Sequence, residues 1–250
     1  SRVLTKLRAG ESVLCAKASY ADAELVELIA SSGVDAVWIC QEHRRAEPAL
    51  LYSMIQACRL GGADAYVRIK PSNHTDLAYV LEAGARGIML PKVTDVAEVR
   101  RVVEMMRFPP LGRRGFDGIH PDADFGRLAP LDYCAHANEN TFLGVQIEEP
   151  EVIDSIDAIA ALPGVDLLFV GPADLSLNLG RFGDKEILKP VLEKVLAACG
   201  KHGKAAAIPC LPEEVAAYQE MGFRFLNITS DFRCISAGLR AAVETARGSR

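Results

Sequence analysis

Several things are missing from this sequence, and each absence removes a class of protein. No run of about twenty apolar residues occurs, so no segment is suited to cross a bilayer as a helix. No CxxC pair occurs, and the seven cysteines (positions 15, 40, 58, 134, 199, 210 and 234) are odd in number. That argues against a disulfide framework or a zinc knuckle and for a reducing cytoplasm. No GxGxxG marks a dinucleotide-binding turn. The densest basic cluster is Arg113-Arg114 and the net charge is -5, which disfavours a nucleic-acid partner. The opening residues, SRVLTKLRAGES, lack the apolar core of a signal peptide. Linker-like and low-complexity tracts are absent too. What remains is 250 residues, half of them apolar, which suits one domain over residues 1–250 with a substantial core.

What is present is rhythm. Short β-branched runs alternate with longer helical patterns. The expected strands are Val13–Lys17, Ala36–Ile39, Ala65–Ile69, Gly87–Leu90, Leu143–Ile147, Leu167–Val170, Ala205–Ile208 and Phe225–Ile228. Expected helices are Asp22–Ser31, Ala49–Leu60, Thr75–Glu82, Asp95–Met106, Val152–Leu162, Lys189–His202, Glu213–Met221 and Cys234–Ala246. Gly33, Gly61, Gly84, Gly203 and Gly222 stand where C-cap glycines belong. Eight strands, each followed by a helix, predict an α/β fold, the (β/α)8 TIM barrel. An insertion from Phe108 to Asn140 breaks the rhythm between the fourth and fifth strands.

In such a barrel the chemistry belongs at the carboxyl ends of the strands. The second strand runs into His43, and the third ends with Arg68 and Lys70. The fifth ends with Gln146, Glu148 and Glu149, and the sixth leads through Gly171-Pro172-Ala173 to Asp174. Alternation puts Gln146 and Glu148 on one side of their strand. Two carboxylates without clustered His or Cys make a hard oxygen site, suited to Mg²⁺ or Mn²⁺ rather than zinc. Amides at Gly171, Ala173 and Asp174 open a helix, where anions are held. Arg68 can face an oxygen that gains negative charge, and His43 can carry a proton near neutral pH.

The stretches WICQEH, YVRIK, LEAGARGIMLPKV, RFPPLGRRG, VQIEEPE and FVGPADLS resemble, in order and spacing, the HpcH/HpaI aldolases. These are metal-dependent pyruvate aldolases of the phosphoenolpyruvate/pyruvate barrel superfamily, and the resemblance runs from Leu14 to Asp231. It implies that Glu148 and Asp174 bind a divalent metal and that Gln146 and Gly171–Asp174 hold pyruvate. It implies further that Arg68 stabilises the enolate and that His43 handles the proton of the cleaved alcohol. The implied reaction splits a 4-hydroxy-2-oxo acid, of the 2-keto-3-deoxy sugar acid type, into pyruvate and an aldehyde. Arg114 matches a family arginine in a loop that covers the site. The resemblance also implies a homo-oligomer, a hexamer that exchanges its last helix, and an aldehyde pocket lined by the Phe108–Asn140 insertion and a neighbouring subunit.

This chain departs from the family pattern at two places. Cys40 stands where the family has Asp, three residues before the histidine. Glu82 replaces the Asp that is thought to orient it, leaving a longer acid to reach His43. Two other readings follow. One is a keto-acid-binding relative with weak or lost turnover. The other is a Schiff-base aldolase through Lys70 or Lys17, both near strand ends.

Overall fold

Eight parallel strands hydrogen-bond in chain order and close into a barrel in the computed structural model, which describes residues 1–248. The strands are β1 (Val13–Ala18), β2 (Ala36–Cys40), β3 (Asp64–Arg68), β4 (Gly87–Leu90), β5 (Phe142–Ile147), β6 (Leu167–Val170), β7 (Ala205–Pro209) and β8 (Phe225–Ser230). Around them run α1 (Arg2–Arg8), α2 (Ala23–Ser31), α3 (Pro48–Gly61), α4 (His74–Glu82), α5 (Val96–Met106) and α6 (Pro130–Asn140). The ring continues with α7 (Ile156–Ala160), α8 (Pro172–Asn178), α9 (Lys185–His202), α10 (Val215–Met221) and α11 (Asp231–Gly248). All eight expected strands are present. The predicted helix over 152–162 is a 3-10 turn (Pro150–Ser155) leading into the short α7.

Alternation along each strand divides two cores. Ala16, Val37, Ile39, Val67, Ile88, Leu143, Val145 and Leu168 face outward and pack under the helices. Burying an aliphatic side chain of this kind contributes about 1.5–3 kcal/mol. The opposite set, with Cys15, Trp38, Tyr66, Met89, Phe142, Phe169 and Phe225, fills the barrel interior. Tyr66 stacks at a tilt on Phe142 and edge-on against Phe225, with ring centres 5.1 and 5.3 Å apart. Gly87 and Gly144 make this possible. A Cβ on Gly87 would collide with the Phe142 ring, and one on Gly144 would collide with the Tyr66 hydroxyl.

The amino end of the barrel is closed by α1. Val3 and Leu4 are buried against the interior set, and the Val3 amide and Ser1 hydroxyl both donate to Asp64. Arg2 and Lys6 each reach Asp35 at 2.7 Å. The carboxyl end stays open. Continuing the interior parity upward brings Lys17, Cys40, Arg68, Gln146 and Glu148 to that mouth.

One expectation changes here. Gly61 ends α3 in helical geometry, and Gly62 (φ 82°) is the left-handed cap. Gly61 instead lets α3 press on α2, since a Cβ there would lie 2.5 Å from that of Ala30. The Phe108–Asn140 segment joins the end of α5 to the start of β5, so it departs from and returns to the amino end, opposite the mouth. It is tied there by Arg107, which donates to the carbonyls of Asn138, Thr141 and Gly164. Its Gly115 amide reaches His74, the first residue of α4, on the mouth side.

Candidate active site

Four strand ends and one connecting loop meet at the mouth. Glu148, just past β5, is fully buried. Its Oε2 accepts from Gln146 Nε2 at 2.5 Å, and its Oε1 accepts from the Lys92 amide at 2.8 Å. Lys92, in the connection after β4, adopts a positive φ of 53° to aim that amide inward. Its ammonium lies 3.0 Å from Glu149 and 3.4 Å from Asp174. Burial, with Asp174 and Glu42 adding negative charge, pushes the Glu148 carboxyl up to about 7 despite the nearby Lys92. A cation beside a carboxyl so placed favours its ionised form.

Arg68 crosses the mouth from β3 with its side chain 4% exposed. Nη1 reaches Gln146 Oε1 at 3.5 Å and Nη2 donates to Cys40 Sγ at 3.0 Å. Nε lies 3.1 Å from Glu42 Oε2, an ion pair whose N–H is not aimed along the contact. The guanidinium also covers Trp38, 4.8 Å from the ring centre. A continuous polar line therefore runs Cys40–Arg68–Gln146–Glu148–Lys92 from β2 to the β4 connection. Burial pushes the Cys40 thiol up, but Arg68 and the amides of His43 and Glu42 outweigh it and hold the thiol below its ordinary range.

At the end of β6, Gly171 has no side chain because none fits. A Cβ there would lie 2.9 Å from both Gln146 Nε2 and Glu148 Oε2. The Gly171 amide donates to Ile147 O and Pro172 has none, so only the Ala173 and Asp174 amides of the expected anion cradle remain. Asp174 lies in the first turn of α8, its side chain 38% exposed. The fit to a hard divalent cation rests on this donor set: one buried and one half-exposed carboxylate, with an ammonium already drawn to the exposed one. Glu148 and Asp174 would hold it.

Other expected residues lie elsewhere. His43 is at the outer rim, its side chain 58% exposed and its Nε2 3.7 Å from Glu42. Glu82 does not reach it within one chain, because the last residue of α4 belongs to the amino end. There its charge bears on Tyr133, and Glu42 takes the place beside His43. Arg114 is likewise removed from the mouth. It is buried with the Phe108–Asn140 segment, donating to the Tyr133 hydroxyl at 2.9 Å and pairing with Asp122 at 3.6 Å. Lys70 pairs with Glu98 at 2.7 Å and donates to the Lys92 carbonyl, so its ammonium is engaged at the rim. Lys17 does face the interior. Sequence reasoning missed Lys92, Glu42 and Trp38. The Pro-Lys pair directly after a strand was the only signal for Lys92.

A closed parallel barrel with paired carboxylates, an arginine and a glutamine at its carboxyl mouth defines a class of oxygen-ligand barrel sites. The chain belongs to the HpcH/HpaI aldolase/citrate lyase family, whose model matches residues 18–234. It is 31% identical over 216 residues to a 2-dehydro-3,6-dideoxy-6-sulfogluconate aldolase of Pseudomonas putida, covering 84% of this chain and 83% of that one. It is 32% identical to a hydroxypyruvate/pyruvate aldolase of Roseovarius nubinhibens, covering 90% and 88%. The crystal structure of an HpcH/HpaI aldolase/citrate lyase family protein from Burkholderia cenocepacia superposes with a TM-score of 0.90 at 30% identity, covering 98% of each chain.

Proposed function

We propose that this protein is a divalent-metal-dependent lyase that reversibly cleaves a 4-hydroxy-2-oxo acid, of the 2-keto-3-deoxy sugar acid type, into pyruvate and an aldehyde. The observation that carries this reading is the polar line from Cys40 through Arg68 and Gln146 to Glu148, ending beside Asp174. Mg²⁺ or Mn²⁺, when bound by Glu148 and Asp174, would supply a Lewis acid and a template for the oxo acid. The names of the relatives, both aldolases, support the reaction type.

In this reading the chain's residues divide the work. Gln146 and the first turn of α8 orient the oxo acid. Arg68, held from behind by Cys40 and Glu42, presents its guanidinium to the oxygen that becomes negative as the C3–C4 bond breaks. His43 takes the 4-hydroxyl proton. The bond electrons pass toward C3, the aldehyde leaves, and a proton returned to C3 gives pyruvate. Arg68 stays anchored although Cys40 replaces an acid, which favours turnover over a purely binding role. Seven unpaired thiols fit a reducing cytoplasm.

We also propose a homo-oligomer of hexamer size in which α11 packs on a second copy. Phe232, Ile235, Leu239 and Val243 line that helix at helical spacing, and all four are exposed.

The reaction is tested by exchange of the pyruvate C3 protons with deuterated water. Exchange is expected to stop after thorough chelation and to return with Mg²⁺ or Mn²⁺. Exchange that continues in metal-free protein overturns the reading.

A further inference from the structure

Lys17 is the mouth cation that the reaction above leaves unused. It shares the interior parity of Val13 and Cys15 on β1, and in an eight-stranded barrel β1 stands opposite β5, which carries Gln146 and leads to Glu148. Its Nζ lies 4.7 Å from the centre of the Trp38 ring, and Trp38 is its register partner on β2. Among the described residues no carboxylate or carbonyl accepts from it. The nearby acids are otherwise engaged. Both Asp231 oxygens receive the amides of Ser19, Tyr20 and Phe232, while Glu42 pairs with Arg68. Burial, then the charge of Arg68, holds the ammonium below the usual lysine range, as expected of a cation without a counter-ion.

Two unpartnered polar atoms lie on the strands either side of its own. Trp38 on β2 and Asn227 on β8 are 6% and 8% exposed. Trp38 Nε1 and Asn227 Oδ1 find no hydrogen-bond partner among the described residues. Asn227 pairs in register with Cys15, two residues before Lys17. Buried polar atoms are rarely left unpaired without cause. Here a cation, a neutral donor and an acceptor lie on three adjoining strands, which suits a small acid that also carries a hydroxyl.

We propose that Lys17, Trp38 and Asn227 form a second subsite, across the mouth from Glu148 and Asp174, that takes an acid group carried by the aldehyde half of the substrate. This rests on the lyase reading above and narrows its substrate class: the aldehyde is itself an anion. Lys17 binds it by charge and hydrogen bond and forms no covalent bond.

The test compares three-carbon 2-hydroxyaldehydes ending in carboxylate, sulfonate or phosphate with glyceraldehyde, in condensation with pyruvate. The wild type is expected to favour at least one anionic aldehyde in kcat/KM by about tenfold or more, mainly through KM. Lys17→Met is expected to bring that ratio close to one and Lys17→Arg to keep most of it. The arm with the largest preference identifies the acid group. An equal rate for charged and neutral aldehydes in the wild type, or a preference that survives in Lys17→Met, overturns the proposal. Trapping of pyruvate on Lys17 by borohydride overturns it as well, by making the lysine a nucleophile.

A binding measurement separates this proposal from the lyase reading. Calorimetric titration with 2-oxoadipate and with its uncharged-tail analogue 2-oxohexanoate, in the presence of Mg²⁺, requires no turnover. Tighter binding of 2-oxoadipate that Lys17→Met abolishes supports the subsite even if no oxo acid is ever cleaved. Equal binding of the two acids overturns it even if pyruvate exchange proceeds.

Discussion

Cys40 accepts a hydrogen bond from Arg68 that a carboxylate would accept more strongly, and nothing else on β2 offers an acceptor there. Removing the sulfur strands a buried guanidinium N–H. Cys40→Ala is expected to lose about 1–3 kcal/mol of stability in urea denaturation and to lower kcat more than KM, because a loosened Arg68 stabilises the developing charge less well. Cys40→Asp is expected to restore both, and equal kinetics for the two variants would disconnect Cys40 from Arg68. At this scale the sequence was readable wherever a strand end fixes position, as with Gln146, Glu148, Arg68 and Asp174. It was unreadable where a side chain's direction depends on a turn. His43 stands exposed at the rim beside Glu42, and Lys92 reaches the mouth only through its left-handed backbone. Within one chain Glu82 and Arg114 stand apart from the mouth, and motif position alone does not say which end of a barrel a residue occupies.

Among the elements, α1 illustrates how little of a plug is visible in advance. Seven residues of mixed polarity show weak periodicity, and their role depends on Asp35 and Asp64 at the barrel floor. Asp35 is 2% exposed and receives Arg2, Lys6 and the Leu14 amide. Burial alone would push its carboxyl up, but Lys6, the Leu14 amide and Arg2 together bring it below its ordinary value of 3.8. A depressed carboxyl contributes stability above that ordinary value and loses it as pH falls through the folded one. Asp35→Asn is therefore expected to be less stable than wild type near pH 7 by about 1–3 kcal/mol. The gap should close progressively below about pH 4 in chemical denaturation. A gap that stays constant down to pH 2 would mean that the charge contributes nothing. The eight strands, by contrast, were legible because each is an apolar run closed off by a glycine, proline or polar turn.

For the whole molecule, barrel closure followed from counting strands, whereas assembly did not. The apolar stripe on α11 is plain in the sequence, but a stripe does not say whether it folds back on its own barrel. The structure leaves Phe232, Ile235 and Leu239 in the open. Ile235→Glu with Leu239→Glu is expected to reduce the mass seen by light scattering to that of smaller species, while circular dichroism keeps the barrel signature. An unchanged mass would remove α11 from the contact.

The first residue of that helix has a second attachment. Asp231 gathers the amides of Ser19 and Tyr20, the turn that immediately follows the strand bearing Lys17. One carboxylate thus pins the base of an exposed arm to the lip of the reaction chamber. Displacing the base of the arm would therefore strain the same turn that forms the lip above Lys17.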